Sequence, residues 1–350
     1  MHLHWFLFIA LILLLLSLDL GVFHRKSHVI SFKEALGWSA MWITLGLSFS
    51  IVVWFAYDAQ WNGLGIAPDP VDGHPLDGRQ AVLKYLTGYV IEESLSIDNI
   101  FVIAMIIGSL GVPALYQHKL LFWGILGALV LRGTMIGLGT ALIARFHWVL
   151  LVFGAFLVLT GFKMLVSKGA EIDPDRSRLV RFLRRFLPVT SRYHGGRFLV
   201  RAGSPAAAEP AEPGAPRADD PAVAAQPAGA LMLTPLAVAL ALIEFTDLIF
   251  AVDSIPAIFA ITADPFIVYT SNVFAILGLR SLYFALAGMI REFRHLKPAL
   301  SAVLVLIGVK MLFAKQLKSL VGPDFNLYVL LLVLILIASG VIFSLRDRKR

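Results

Sequence analysis

Ile91-Glu92-Glu93-Ser94-Leu95-Ser96-Ile97-Asp98-Asn99 lies inside an apolar run long enough to cross a bilayer. Thr246-Asp247-Leu248-Ile249-Phe250-Ala251-Val252-Asp253-Ser254 repeats its pattern in a second such run. Each stretch sets an acid, five residues, and then an aspartate followed by a small polar residue. An aspartate at the centre of a membrane helix costs roughly 2.5–3.5 kcal/mol on insertion scales, so a bland anchor does not contain several of them. These carboxylates must meet a cation, a proton or each other.

The surrounding composition is that of a polytopic membrane protein. Of 350 residues, 58% are hydrophobic and 15% charged, and the mean hydropathy is +0.81. Cysteine is absent, which removes disulfides, thiolate metal sites and cysteine nucleophiles together. A metal here meets oxygen or imidazole. The formal charge of +7 does not point to nucleic acid, because the basic residues flank apolar segments instead of filling one polar domain.

Apolar runs are expected to cross the bilayer at 5–23, 38–57, 83–107, 119–141, 147–166, 233–261, 266–290, 298–315 and 326–345, each near the ~20 residues a spanning helix needs. The first run lacks a basic start and is followed by Arg25 and Lys26, which favours an uncleaved helix with its N-terminus outside. Alternating sides from there places twenty-one Lys and Arg inside and five outside, with the C-terminus inside. A cell (inner) membrane location follows, with the lipid bilayer as the first partner.

The expected units are 1–82, two N-terminal helices and an outer loop; 83–166, a first repeat; 167–230, a basic and then Ala/Pro-rich loop; 231–315, a second repeat; and 316–350, a last helix and basic tail. Asp58, Asp69, Asp72 and Asp77 make the outer loop acidic, as a solvated loop is. In the inner loop, Arg176, Arg178, Arg181, Arg184 and Arg185 suit a short helix on an anionic lipid surface or a docking site for a protein partner. Residues 202–230 read as a disordered linker without aromatic residues.

The duplication extends beyond the acids. Val158-Leu159-Thr160-Gly161-Phe162-Lys163-Met164-Leu165 returns as Val305-Leu306-Ile307-Gly308-Val309-Lys310-Met311-Leu312, and Leu131-Arg132-Gly133 returns as Leu279-Arg280-Ser281. Each copy contains three spans, an odd number, so the copies run through the membrane in opposite senses. The fold class is all-α, with about nine transmembrane helices and two inverted three-helix repeats, an organisation associated with secondary transporters whose ion sites lie where the repeats meet.

Within one helix Glu92 and Asn99 fall about 20° apart in projection, while Glu92 and Asp98 are about 9 Å apart along the axis. One unbroken helix therefore cannot put both acids on one small ion. A pseudo-two-fold axis brings Asp98 and Asn99 towards Asp253 and Ser254, with Glu92 and Asp247 as equivalent flanks. Carboxylate, amide and hydroxyl oxygens suit hard divalent cations such as manganese, magnesium or calcium. The plainer reading is that the acids neutralise Arg132, Arg280, Lys163 and Lys310 as salt bridges or gates. Glu93 and Glu244 have no match in the opposite repeat and are weaker candidates, as is Asp19 in the first helix.

The sequence resembles the TerC family, in its Alx-like branch and within the larger group of LysE-type exporters. The resemblance rests on Leu18-Asp19-Leu20-Gly21-Val22-Phe23-His24-Arg25, on Glu92 to Asn99, and on Phe250-Ala251-Val252-Asp253-Ser254-Ile255-Pro256-Ala257-Ile258-Phe259-Ala260, and it covers about residues 5–345 apart from the Ala/Pro-rich insert. It implies an inner-membrane protein associated with manganese efflux and, by the family's name, with tellurium resistance. The metal-binding role it implies falls on Glu92, Asp98, Asn99, Asp247, Asp253 and Ser254.

The leading expectation is a gradient-driven exporter of manganese, with proton exchange as its coupling, no tightly bound cofactor and no enzymatic activity. A membrane scaffold or metal-delivery protein is the second reading. An intramembrane aspartyl hydrolase built on Asp98 and Asp253 is the third, although the Tyr-Asp and Gly-x-Gly-Asp settings are missing.

Overall fold

A computed structural model describes residues 3–18, 31–146, 148–166, 188–210, 220–286, 296–322 and 324–347. Its helices of 8 or more residues are α1 (Leu3–Leu18), α2 (Phe32–Asp58), α3 (Gly78–Ser109), α4 (Ala114–Arg145) and α5 (Val149–Val166), then α6 (Pro235–Phe259), α7 (Pro265–Leu286), α8 (Leu296–Leu312), α9 (Ala314–Val321) and α10 (Phe325–Asp347). Their starts follow local chemistry. Asp77 and Gln80 form a reciprocal capping box on α3, Thr234 caps α6 ahead of Pro235, and the Asp264 carboxylate accepts the N–H groups of Phe266 and Ile267 at the start of α7.

By length and hydropathy, six of the described helices can span a membrane: α2, α4, α5, α6, α7 and α10. The expected nine differ from this by three helices. The 16-residue α1 and the 17-residue α8 are short, and the 32-residue α3 carries Lys84, Glu92, Glu93 and Asp98, which lower its hydropathy. The chain is nevertheless an all-α polytopic assembly. α7 is its axis, with 89% of its apolar window buried against 22–44% for the other five. Phe8 of α1 and Phe49 of α2 pack on Phe274 of α7, while Ile51, Val130, Leu138, Leu159 and Ile335 face outward as a lipid-facing surface.

Packing between the two duplicated halves is reciprocal. α3 packs on α7 as α6 packs on α4, and α5 lies against α8. A Cβ on Gly161 would stand 2.9 Å from the Ser301 carbonyl oxygen, and one on Gly308 would stand 2.8 Å from that of Gly154. Residues 154, 158 and 161 align with 301, 305 and 308, so the same contact is made twice with the partners exchanged. Only glycine admits so close an approach of the two backbones.

Two expectations for the loops change. Asp69 is 3% exposed instead of solvated, because the buried Lys84 ammonium lies 2.7 Å from it and 2.8 Å from Asp72. The stretch expected as a linker is structured in its described parts. β1 (Leu199–Arg201) and β2 (Leu231–Leu233) pair antiparallel just outside its two ends; within it the Ala202 N–H donates to the Ala230 carbonyl at 2.9 Å, and Ala202 and Ala207 join Val200 and Met232 in a small core. Asp220 organises this insert, its carboxylate accepting the N–H groups of Ser191, Arg192 and Ala222 and pairing with His194. One carboxylate that satisfies several backbone donors offsets a composition otherwise too poor in large apolar residues to fold. Asp19, Arg25, Lys26 and the basic residues 176–185 lie outside the described residues.

Candidate ion-binding site

The six residues expected to hold a cation divide into two neighbouring groups. Asp98 and Asn99 of α3 and Asp253 and Ser254 of α6 line one cavity of about 50 Å³, closed by Leu95, Phe250, Met164 of α5 and Leu304 of α8. Two carboxylates, an amide and a hydroxyl from opposite repeats therefore converge. Asn99 and Ser254 are buried, and Asn99 Oδ1 has no hydrogen-bond partner among the described residues. A water molecule occupies about 30 Å³ in the liquid, so a cation with part of its hydration fits this space. Thr160 gives a side-chain hydrogen bond to Asp253, Lys163 exerts its charge on the same carboxylate, and Lys297 does so on Asp98.

Glu92 and Asp247 do not line this cavity. They hold Arg132, which is 1% exposed. Its Nε and Nη2 donate to the two oxygens of Asp247 at 3.2 and 2.8 Å, and Nη1 donates to Glu92 Oε1, to Asn272 Oδ1 at 2.9 Å and to Ser254 Oγ at 3.4 Å. The expectation that Glu92 and Asp247 are ligands is thus answered by a guanidinium, whose rigid fork and permanent charge suit the buried Glu92 and the half-buried Asp247 carboxylates. Ser254 belongs to both groups.

The remaining candidates lie apart. Glu93 approaches the notch left by Gly278 of α7, and Glu244 fills the one left by Gly127 of α4. Arg280 is buried in α7. Lys310 is also buried and sits 5.8 Å from the centroid of the Phe325 ring, so it does not snorkel to an interface. Among the described residues no group of three or more His, Cys, Asp or Glu is placed to hold a metal. The site's donors are instead two carboxylates supplemented by neutral oxygens.

Asn272 is the participant that sequence reasoning missed. The visible signal was a lone amide within an apolar span, which needs a polar partner there. Position 272 aligns with Gly124 in the first repeat, so the duplication gave it no emphasis.

Comparison with known proteins agrees with this architecture. Residues 77–350 match the model of the Integral membrane protein TerC family. The chain is 45% identical over 326 residues to "Uncharacterized membrane protein STKORF319" of Myxococcus xanthus, covering 93% of this chain and 88% of that protein. It is 40% identical over 346 residues to "Putative membrane-bound redox modulator Alx" of Salmonella typhi, covering 99% and 96% of the two chains. The protein of the same name from Escherichia coli K12 is 39% identical over 347 residues, with 99% and 97% covered. No solved structure matches the chain. With the family match spanning most of the sequence and these relatives aligned almost end to end, the chain belongs to the TerC family of multi-pass integral membrane proteins.

Proposed function

We propose that this protein is a secondary transporter that exports a divalent cation, foremost manganese, through the cavity of Asp98, Asn99, Asp253 and Ser254. The observation that carries this reading is the convergence of the two duplicated Asp-plus-neutral-oxygen pairs on one cavity between α3 and α6. Two carboxylates balance a divalent charge, and oxygen donors favour manganese, magnesium and calcium over soft metals. Reciprocal packing of α3–α5 on α6–α8 supports an inverted repeat, and with α1, α3 and α8 as spans the count becomes nine. The N-terminus is outside and the C-terminus inside, with the basic loops on the inner face of the cell membrane. Proton exchange supplies the coupling, since a carboxylate releases a metal as it takes up a proton.

Asn99 and Ser254 favour this over an aspartyl hydrolase. Neutral oxygens complete a cation's coordination, whereas two aspartates that activate water need no such pair. The name carried by the Salmonella and Escherichia relatives concerns redox modulation. Without cysteine, side-chain thiol chemistry cannot supply such an effect here; control of a redox-active metal can. In cells that depend on this protein, Asp98→Ala and Asp253→Ala should each abolish manganese tolerance while the protein remains in the membrane. Full protection by both variants contradicts the assignment.

A further inference from the structure

The arrangement around Arg132 is asymmetric, while the acids it holds are related by the repeat. Exchanging the halves converts Glu92 into Asp247, Ser254 into Asn99, and Arg132 into Arg280. Arg132 binds the carboxylate of the opposite repeat, Asp247, with two nitrogens and that of its own repeat, Glu92, with one. It also reaches Ser254 Oγ. The exchanged arrangement has Arg280 on both oxygens of Glu92, on one oxygen of Asp247, and on Asn99 Oδ1.

Two of those acceptors are vacant among the described residues. Glu92 Oε2 and Asn99 Oδ1 are both buried without a hydrogen-bond partner. Leaving a buried acceptor without a partner is costly, so two at the symmetry-related positions call for an explanation.

We infer that Arg132 and Arg280 alternate on the Glu92–Asp247 pair, one in each facing state of the transporter. This rests on the transport reading proposed above. Each arginine acts as a tethered counter-cation. Its charge is permanent, so the acid pair is never left bare and never accepts the transported ion while an arginine holds it. The divalent cation is confined to Asp98 and Asp253. The residue that joins the two sites changes with the state, from Ser254 when Arg132 is bound to Asn99 when Arg280 is bound. The two states are unequal, because Asn272 adds a bond to Arg132, whereas its counterpart Gly124 offers Arg280 no side chain.

The chain has no cysteine, so one introduced thiol reports without background. Leu95→Cys, on the cavity wall, is treated with a membrane-impermeant maleimide from either face of proteoliposomes. Arg132→Gln and Ser254→Ala should move the ratio of labelling from the two faces in one direction, and Arg280→Gln and Asn99→Leu in the other. The arginine changes should shift it about tenfold or more, as expected for losing hydrogen bonds to a charged group. If the arginine variants do not fold, the Ser254→Ala and Asn99→Leu pair makes the same test. Opposite shifts support the exchange; shifts in one direction, or no shift, overturn it. Manganese entry into the vesicles of the parent protein, measured in parallel, decides the transport reading separately. Parent vesicles that carry manganese while the ratio stays fixed remove the arginine exchange alone.

Discussion

At one end of the bundle the 59–77 loop is held to the α6–α7 turn by desolvated charges; at the other, the described part of the 188–233 insert rests on the α3–α4 turn through neutral acceptors and one lysine. In the first, Lys84 pairs with Asp69 and Asp72, Thr262 donates to Asp69, the Ala263 N–H reaches Asp69 at 3.3 Å, and Tyr57 donates to Asp264 at 2.7 Å. In the second, Tyr193 donates to the Leu110 carbonyl at 2.8 Å, and Lys119 donates to the Gly196 carbonyl at 2.6 Å while lying 5.3 Å from the centroid of the Phe198 ring. The two hairpin turns correspond in the duplicated halves, yet one cap is a largely buried ion cluster and the other a set of separable bonds. Separating the first leaves buried charge uncompensated. Lifting the second exposes groups that water can satisfy, so the insert end is the one that opens with less cost.

The largest expected effect tests the first cap. Lys84→Met leaves Asp69 and Asp72 without their cation and should destabilise the protein by about 3–5 kcal/mol, the usual result of breaking a buried pair from one side. Thermal unfolding in detergent measures it, and an unchanged midpoint would remove the contrast between the two ends.

A smaller effect belongs to the insert. Burial pushes the Asp220 carboxyl up, but the N–H of Ala222, the His194 ring and the N–H of Arg192 outweigh it and hold the group below the usual carboxylate range. A carboxyl lowered by folding contributes stability that is present above its unfolded value, near 3.9, and is lost as pH falls through its folded value. The insert should therefore keep this contribution at neutral pH and loosen only in strong acid. Asp220→Asn should cost it about 1–3 kcal/mol at neutral pH, read as faster proteolysis between residues 188 and 233 with the helices intact. Equal loosening of both ends would show that the insert is not separable from the bundle.

Much of the fold was legible because membrane helices declare themselves locally. The apolar runs already indicated helices, and the duplicated Val158–Leu165 and Val305–Leu312 strings indicated which of them correspond. The candidate site was legible by half. Asp98, Asn99, Asp253 and Ser254 stand in matched positions, and symmetry alone suggested that they meet. The capture of Glu92 and Asp247 by Arg132 could be raised only as one of two options, because the choice depends on how far α4 rotates towards α3 and α6. Asp69 looked like a solvated loop residue since its partner Thr262 is distant in sequence, and Lys84 was one of the five basic residues counted on the outer side. The folding of the insert was hidden for a related reason: Asp220 gathers donors from residues 191 and 192, and composition carries no record of such a closure.

The transport proposal makes the Asp98–Asp253 cavity the route of a divalent cation across the membrane. Its most direct test is manganese flux into proteoliposomes containing only this protein, compared with the same vesicles carrying Asp98→Asn. Entry should be saturable, driven by an ion gradient without ATP, accelerated when the manganese-free interior is acidic, and abolished by Asp98→Asn. Parent protein that binds manganese but moves none under any gradient, or a variant that moves it as fast as the parent, would contradict it.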